Sequence, residues 1–281
     1  MQGPTVMTIL AGWRGEPVSE QPDPYARAVR YYDSENADRT EDIPFYIDLV
    51  ERFGGPLLYA GCGTGRLAPP LLHSFPDLAI TGVDLSLPML EGARKRLASL
   101  GPRAARVTWL HGDLVDLALG QQFGLAIFPY NGFMHLLTQE RQIAALEALA
   151  RHLAPGGGLV IDISSPIELF CHDELPHLVL ERTFTDRETG HQVMQQSLVS
   201  VDRAAQIMAV TWVYDRIGEG GQLFRDVIPV ELRLTFAPEL RLLLARAGLN
   251  RVELYGDYDF NPYDETSSYL LAVATQGGAD E

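Results

Sequence analysis

Three glycines alternate with other residues in LLYAGCGTGRL, residues 57–67, where a short apolar run gives way to a helical pattern. Gly61, Gly63 and Gly65 remove side chains where the backbone must turn sharply and where a ligand can approach it closely. A flat or anionic group is therefore expected on this turn. Arg66 follows Gly65, so the spacing is GxGxG, and the third glycine arrives one residue too early for the dinucleotide fingerprint GxGxxG. A second chemical signal is His135, four residues after Asn131. A histidine with an ordinary pKa near ~6.5 is a suitable proton acceptor. A helical turn at that point would put both side chains on one face. The tract Cys171, His172, Asp173, Glu174, His177 carries metal-capable side chains, but its spacing matches no standard zinc pattern, and no metal is expected. Lys95 is the only lysine, so Schiff-base chemistry has one candidate and the phosphate loop GxxxxGK[ST] cannot be written.

These residues need a frame. From Tyr25 the pattern is helical, with Tyr25, Val29 and Tyr32 at three- and four-residue spacing, and a second helix is predicted from Ile43 to Phe53 before Gly54, Gly55 and Pro56. Residues 57 to 163 then alternate short apolar runs with helical stretches, as a parallel sheet with crossover helices requires. Strands are predicted near 57–60, 79–84, 106–110, 123–128 and 158–163, with helices near 65–74, 87–100 and 139–153. After Pro166 the residues alternate apolar and polar, with turns at Thr-Gly and Gly-Glu-Gly-Gly, which predicts an antiparallel insert of three or four strands. From Pro238 a helix, a strand over 251–255, a polar loop and a strand over 269–274 resume the first texture. The fold class expected is α/β: a doubly wound, mostly parallel seven-stranded sheet with an antiparallel β insert after strand five. The divisions expected are a flexible arm over 1–24, an α/β domain over 25–165 and 237–276, and the insert over 166–236.

Composition narrows the partners. The chain has 281 residues and a formal net charge of −15, so its surface repels phosphate backbones and nucleic acid is not an expected partner. No apolar run reaches the ~20 residues of a membrane span. The opening stretch lacks the basic residue and cleavage pattern of a signal peptide, and two cysteines far apart fit a reducing compartment, so cytoplasmic residence is expected. Oligomeric state is not legible.

Gly61-Cys62-Gly63-Thr64-Gly65 resembles the first motif of the class I S-adenosylmethionine-dependent methyltransferases, and three further segments extend the resemblance over roughly residues 25 to 165. They are ITGVDLSLPML, WLHGDLVDL and FGLAIFPYNGFMHLL; the stretch APGGGLVIDI is similar to the family's turn before strand five. The resemblance implies S-adenosylmethionine as cofactor, a Rossmann-like fold, and a binding set of Ala60, Gly61, Cys62, Gly63, Gly65, Arg66, Asp84, Leu85, Met89, Gly112, Asp113, Leu114, Pro129 and Tyr130. In it Asp84 would accept the ribose hydroxyls, Met89 would pack on adenine, Asp113 would receive the adenine amino group, and the 129–131 loop would face the reacting methyl. Relatives often carry an acidic residue two positions before the first glycine, near the methionine ammonium; this chain has Tyr59.

For catalysis the same resemblance points to His135 as a base, with Asn131 beside it, and to Tyr32 closing over the cofactor. The insert is similar to the antiparallel covers of small-molecule methyltransferases, aminosugar- and glycine-type enzymes among them. Trp212, Tyr214 and Phe224 would line a pocket or simply pack, and the loop from Asp257 to Asp264 would meet a polar substrate or water. The expected activity is methyl transfer by in-line displacement to a nitrogen or oxygen of a small molecule. A non-catalytic S-adenosylmethionine-binding regulator and a nicotinamide oxidoreductase stay open as other readings.

Overall fold

The structure, a computed structural model, describes residues 23–170 and 177–277. Helix α1 (Tyr25–Glu35) buries Ala28 and Tyr31, and α2 (Ile43–Phe53) buries Phe45, Tyr46, Leu49 and Val50, one apolar stripe each. Both lead into β1 (Leu57–Ala60), whose four residues are all buried, as a strand covered on both faces must be. There follow α3 (Ala68–Ser74), β2 (Ile80–Asp84), α4 (Leu87–Leu97), β3 (Val107–His111), β4 (Phe123–Phe128), α5 (Gln139–Arg151) and β5 (Leu153–Ser164). A short helix α6 (Pro166–Phe170) precedes β6 (Val179–Thr185), β7 (Gln192–Asp202), β8 (Ile207–Ile217) and β9 (Leu223–Arg233). Helix α7 (Ala237–Arg246), β10 (Arg251–Tyr255) and β11 (Tyr269–Thr275) close the chain.

Seven strands form one sheet in the order β10-β11-β5-β4-β1-β2-β3. All neighbours are parallel except β11, which runs antiparallel to both β5 and β10. The strand order reverses between β1 and β4, and in open α/β sheets ligands bind at the carboxyl ends of strands beside such a switch point. Two apolar clusters cover the two faces of this sheet, one built on Phe123, Leu146, Leu149 and Ile161, the other on Phe45, Leu49, Leu71 and Ile127. Strand β5 begins five residues earlier than predicted: Leu153 pairs with Phe123, and the register then shifts so that Gly158 pairs with Leu125. The Ala154–Gly157 stretch is thus an irregularity inside the strand.

The insert is a separate four-stranded antiparallel sheet, β6-β7-β8-β9. Its edge position lets β9 carry Pro229, which has no N–H to give a further neighbour. Met208, Val210 and Tyr214 of β8 and Ile228 and Val230 of β9 join the larger apolar cluster, which seats the insert on the α/β frame. Most of the arm expected over 1–24, and Cys171, His172, Asp173 and Glu174 of the metal-capable tract, lie outside the described residues. Among the described residues no helix is long and apolar enough to cross a membrane, and no group of three His, Cys, Asp or Glu side chains is placed to hold a metal.

Candidate active site

The glycine turn leaves β1 with Gly61, Gly63 and Gly65 at φ of +56°, +52° and +70°. A Cβ at Gly61 would stand 2.9 Å from the Phe128 ring, and one at Gly65 2.7 Å from Trp109, so packing alone demands glycine there. At Gly63 the nearest atom would be the Tyr32 hydroxyl at 3.9 Å. The space over Gly63 is therefore open toward α1, as a cradle for a ligand would be.

Asp84 ends β2 beside this turn. Its Oδ2 accepts the Gly63 N–H at 2.7 Å and its Oδ1 the Ser86 N–H at 2.8 Å, so the carboxylate ties the glycine turn to the start of α4. Burial pushes its pKa up, and these N–H bonds pull it back. Met89 is buried one turn into α4, Leu85 is exposed, and the Gly112 N–H donates to the Asp84 carbonyl. Asp113 caps the turn after β3: it accepts the Val115 N–H at 3.1 Å and pairs with Arg141 of α5 at 2.7 Å, while Leu114 is buried behind it. The thiol of Cys62 is buried and its pKa pushed well up, so it is no nucleophile.

Tyr32, Tyr59, Arg66, Pro129 and Tyr130 close a small cavity of about 30 Å³ with the glycine turn. Tyr59 is buried against Trp109 in an edge-on contact, and the Arg66 guanidinium donates twice to Asp42, a fully buried carboxylate at the start of α2. Arg39 contacts the same Asp42 at 3.9 Å and lies over the Tyr130 ring at 4.1 Å. Tyr59 thus lacks the acid that relatives often carry, but Asp42 brings one to the same end of the site from another element.

Tyr130 and Asn131 both have left-handed backbone, φ +49° and +62°, which costs roughly 1–2 kcal/mol per non-glycine residue. Strand β5 holds them there. The Tyr130 N–H donates to Asp162 Oδ2 at 3.2 Å and the Asn131 N–H to the Asp162 carbonyl at 3.0 Å. The Asn131 amide exchanges two hydrogen bonds with Ser164, at 2.6 and 3.0 Å. Asp162 also accepts Tyr46 Oη at 2.7 Å and Tyr258 Oη at 3.3 Å, and Tyr258 in turn accepts Arg39 at 2.8 Å. The only local sign of this network was an aspartate inside the apolar run LVIDI.

His135 ends a 3-10 turn, Gly132–His135, rather than an α-helical one, and its Nε2 shares a hydrogen bond of 2.8 Å with Tyr25 Oη. The face expected to be shared with Asn131 is therefore absent: one side chain turns to β5, the other to α1. Tyr25 also meets Tyr32 edge-on at 6.5 Å, and Tyr32 meets Tyr130 at 6.5 Å. Burial raises the pKa of all three tyrosines, so they stay protonated. It pushes His135 down to about 4, so the imidazole is neutral at pH 7. A folded-state value below the unfolded one means stability present at neutral pH and lost as pH falls from ~6.5 toward 4. His135→Gln should therefore remove about 2 kcal/mol of the stability difference between roughly pH 7.5 and pH 5, read from urea midpoints.

Trp212 packs half-buried on the larger apolar cluster, Tyr214 is buried against Tyr31, and Phe224 is 37% exposed with Arg216 over its ring. Of the loop from Asp257 to Asp264, Tyr258 reaches the buried network.

Comparison with known proteins agrees with this geometry. Residues 57–157 match the family described as a methyltransferase domain. The cypemycin N-terminal methyltransferase of a Streptomyces species is 28% identical over 226 residues, 78% of this chain and 82% of that one. A dTDP-3-amino-3,4,6-trideoxy-α-D-glucopyranose N,N-dimethyltransferase of Streptomyces venezuelae is 36% identical over 106 residues, 38% of this chain and 41% of that one, so this match spans less than half of each. Among solved structures, the CcbJ methyltransferase of Streptomyces caelestis superposes with a TM-score of 0.70 at 25% identity, covering 96% of both chains. The sugar N-methyltransferase KedS8 of Streptoalloteichus, at 22% identity and a TM-score of 0.69 over 99% of both chains, shares the fold. The GxGxG turn had already spoken against a nicotinamide enzyme. The glycine turn with its Asp84 clasp, the seven-stranded sheet and these matches agree: residues 57–157 match a methyltransferase domain, and the chain is similar to methyltransferases over most of its length.

Proposed function

We propose that the chain is an S-adenosylmethionine-dependent methyltransferase that transfers a methyl group to a nitrogen or oxygen of a small molecule, held between the carboxyl ends of β1 and β4 and the insert over residues 166–236. The observation that carries this reading is the aromatic wall of Tyr25, Tyr32 and Tyr130 with His135, which stands beyond the glycine turn where α1 and β4 face each other. Bound S-adenosylmethionine supplies a methyl group already activated by its positive sulfur. The protein's share is then mainly placement, and good placement alone is worth up to ~7–11 kcal/mol.

In this reading Ala60, Gly61, Cys62, Gly63 and Gly65 present main chain to the cofactor, Asp84 takes the ribose hydroxyls, and Leu85, Met89, Gly112, Asp113 and Leu114 form the adenine end. Arg66 with its partner Asp42 supplies charge at the methionine end, which Tyr59 leaves without an acid of its own. Pro129, Tyr130 and Tyr32 border the reacting centre, and Asn131 fixes the loop through Ser164. His135, neutral and bonded to Tyr25, orients that phenol, and a pKa near 4 makes it a weak final acceptor for a proton. The aminosugar enzyme, by its name, methylates the nitrogen of a nucleotide-linked sugar, which supports a small acceptor. No observation favours a non-catalytic regulator.

Calorimetric titration should show S-adenosylhomocysteine binding and no binding of NADH. Labelled methyl donor offered with a library of amines, sugars and phenols should then yield a methylated product. Absence of saturable S-adenosylhomocysteine binding removes the whole reading.

A further inference from the structure

Helix α1 has a second face, turned to the insert. Across the sheet, Gln195 of β7, Tyr214 of β8 and Asp226 of β9 stand in register, one row on one face. Tyr31 stacks on Tyr214 with ring centroids 4.4 Å apart and donates to Asp226 at 2.5 Å. At the end of α1, Glu35 Oε2 accepts the Tyr214 hydroxyl at 2.8 Å, and Oε1 has a long contact of 3.4 Å from the Asn36 amide. Gln195 donates to the same Tyr214 hydroxyl at 3.2 Å, while its carbonyl Oε1 is buried with no hydrogen-bond partner among the described residues; Gln195 is only 6% exposed.

This cluster holds more acceptors than donors. Tyr214 has one hydrogen to give and Glu35 takes it. No ion pair reaches the Glu35 carboxylate among the described residues; the guanidinium of Arg182, which acts on it from a distance, donates to the main-chain carbonyl of Glu35 instead. The Gln195 carbonyl lacks any donor, and the Glu35 carboxylate, though it accepts the Tyr214 hydroxyl, has no ion-paired cation to balance its charge among the described residues. Both sit on the side of α1 facing the insert, and the field of Glu35 reaches the Tyr25 and Tyr130 hydroxyls of the aromatic wall. A ligand that satisfies them must bring several N–H bonds and a positive charge.

We infer that Glu35, with Tyr214 and Gln195, forms the recognition subsite for the methyl acceptor and that this acceptor carries a protonated amine. The inference rests on the methyltransferase reading above and narrows it from nitrogen or oxygen compounds at large to basic amines. An ammonium group has three N–H donors, two of which match one Glu35 carboxylate oxygen and the Gln195 carbonyl; it releases one proton to solvent before its nitrogen lone pair takes the methyl group and S-adenosylhomocysteine leaves. Glu35 hydrogen-bonds to Tyr214, Asn36 and Arg182 and to none of the residues assigned to the cofactor, so it should act chiefly on the acceptor. Burial raises the Glu35 pKa, and a bound cation would lower it again.

The test uses the full chain saturated with S-adenosylhomocysteine, and a panel of aminohexoses, amino-acid esters and linear amines, each paired with its hydroxyl counterpart. In the wild type some amines should raise the thermal midpoint and accept labelled methyl, and their hydroxyl counterparts should not. Glu35→Gln keeps size and the bond from Tyr214; it should bind S-adenosylhomocysteine within about twofold of the wild type and lose about 30-fold or more in kcat/KM toward those amines, chiefly through KM. Gln195→Met, which removes the orphaned carbonyl and leaves the charge, should raise KM by about three- to tenfold. Equal use of amines and hydroxyl counterparts by the wild type, no amine in the panel taken up, or unchanged amine kinetics in Glu35→Gln each overturn the subsite. If S-adenosylhomocysteine fails to bind the wild type, the methyltransferase reading falls instead; the amines' effect on the midpoint of the chain alone then decides the subsite, abolition by Glu35→Gln upholding it and no effect overturning it.

Discussion

Replacing Asp84 by asparagine should reduce affinity for S-adenosylhomocysteine by about 100-fold or more while leaving the fold intact. Its two oxygens accept the Gly63 and Ser86 amides at 2.7 and 2.8 Å, and both donors converge from segments that form the cofactor's bed in the proposed scheme. An asparagine offers one acceptor and turns an NH2 toward the other amide, so one of these donors loses its partner and the turn reopens. Loss of a charge-assisted hydrogen bond is worth about 1.5–3 kcal/mol, and a factor of 10 in affinity is ~1.4 kcal/mol. If the carboxylate also receives the ribose hydroxyls, the two losses together exceed 2.8 kcal/mol, or about 100-fold. Calorimetry on the wild type and on Asp84→Asn reads the difference. Affinity within about threefold of the wild type would show that Asp84 serves only as a clasp for the main chain.

The second large effect concerns Asp162, which touches no ligand in the proposed scheme. Asp162→Ala removes the acceptor for Tyr46 Oη, Tyr258 Oη and the Tyr130 N–H at once. All lie in the interior, where each stranded donor costs about 1–3 kcal/mol, so a loss of roughly 3–5 kcal/mol is expected in urea denaturation. The same change frees Tyr130 from its left-handed conformation, so transfer should fall even at temperatures where the variant is folded. Asp162→Asn keeps one acceptor oxygen and should fall between the two. A loss under about 1 kcal/mol in Asp162→Ala would show that water replaces the carboxylate easily and that the loop is held by other contacts.

The frame was legible because its signals are local. Gly54, Gly55 and Pro56 end α2, the glycine turn marks the exit from β1, and each crossover helix shows its own apolar stripe. Four alternating runs after Pro166 became four strands. The site was legible only where a motif carried it. Glu35, Arg39 and Asp42 escaped, and Tyr258 was read only as part of a polar loop, because what joins them to the site is tertiary: Tyr46 and Asp162 are 116 positions apart, Glu35 and Tyr214 are 179 apart. Nothing in a helix that ends in Ser-Glu says which strand will meet its carboxylate. The 3-10 turn after Asn131 was missed for a different reason. Its geometry follows from two left-handed residues imposed by β5, where local spacing suggested an ordinary helix.

Helix α1 is bolted on opposite sides. Toward the glycine turn, Asp33 accepts Thr64 Oγ1 at 2.6 Å and pairs with Arg96 at 2.5 Å; toward the insert, Arg27 and Tyr31 reach Asp226 and Glu35 reaches Tyr214. All of these links are polar; Arg27, Asp33, Arg96 and Asp226 reach solvent, whereas Tyr31, Thr64 and Tyr214 are buried. A helix fastened to both parts is expected to act as a door for reactants and spent products. The consequence is kinetic: turnover should be paced by the swing of this one segment, rising with added salt and falling with solvent viscosity, even when the methyl transfer itself is fast.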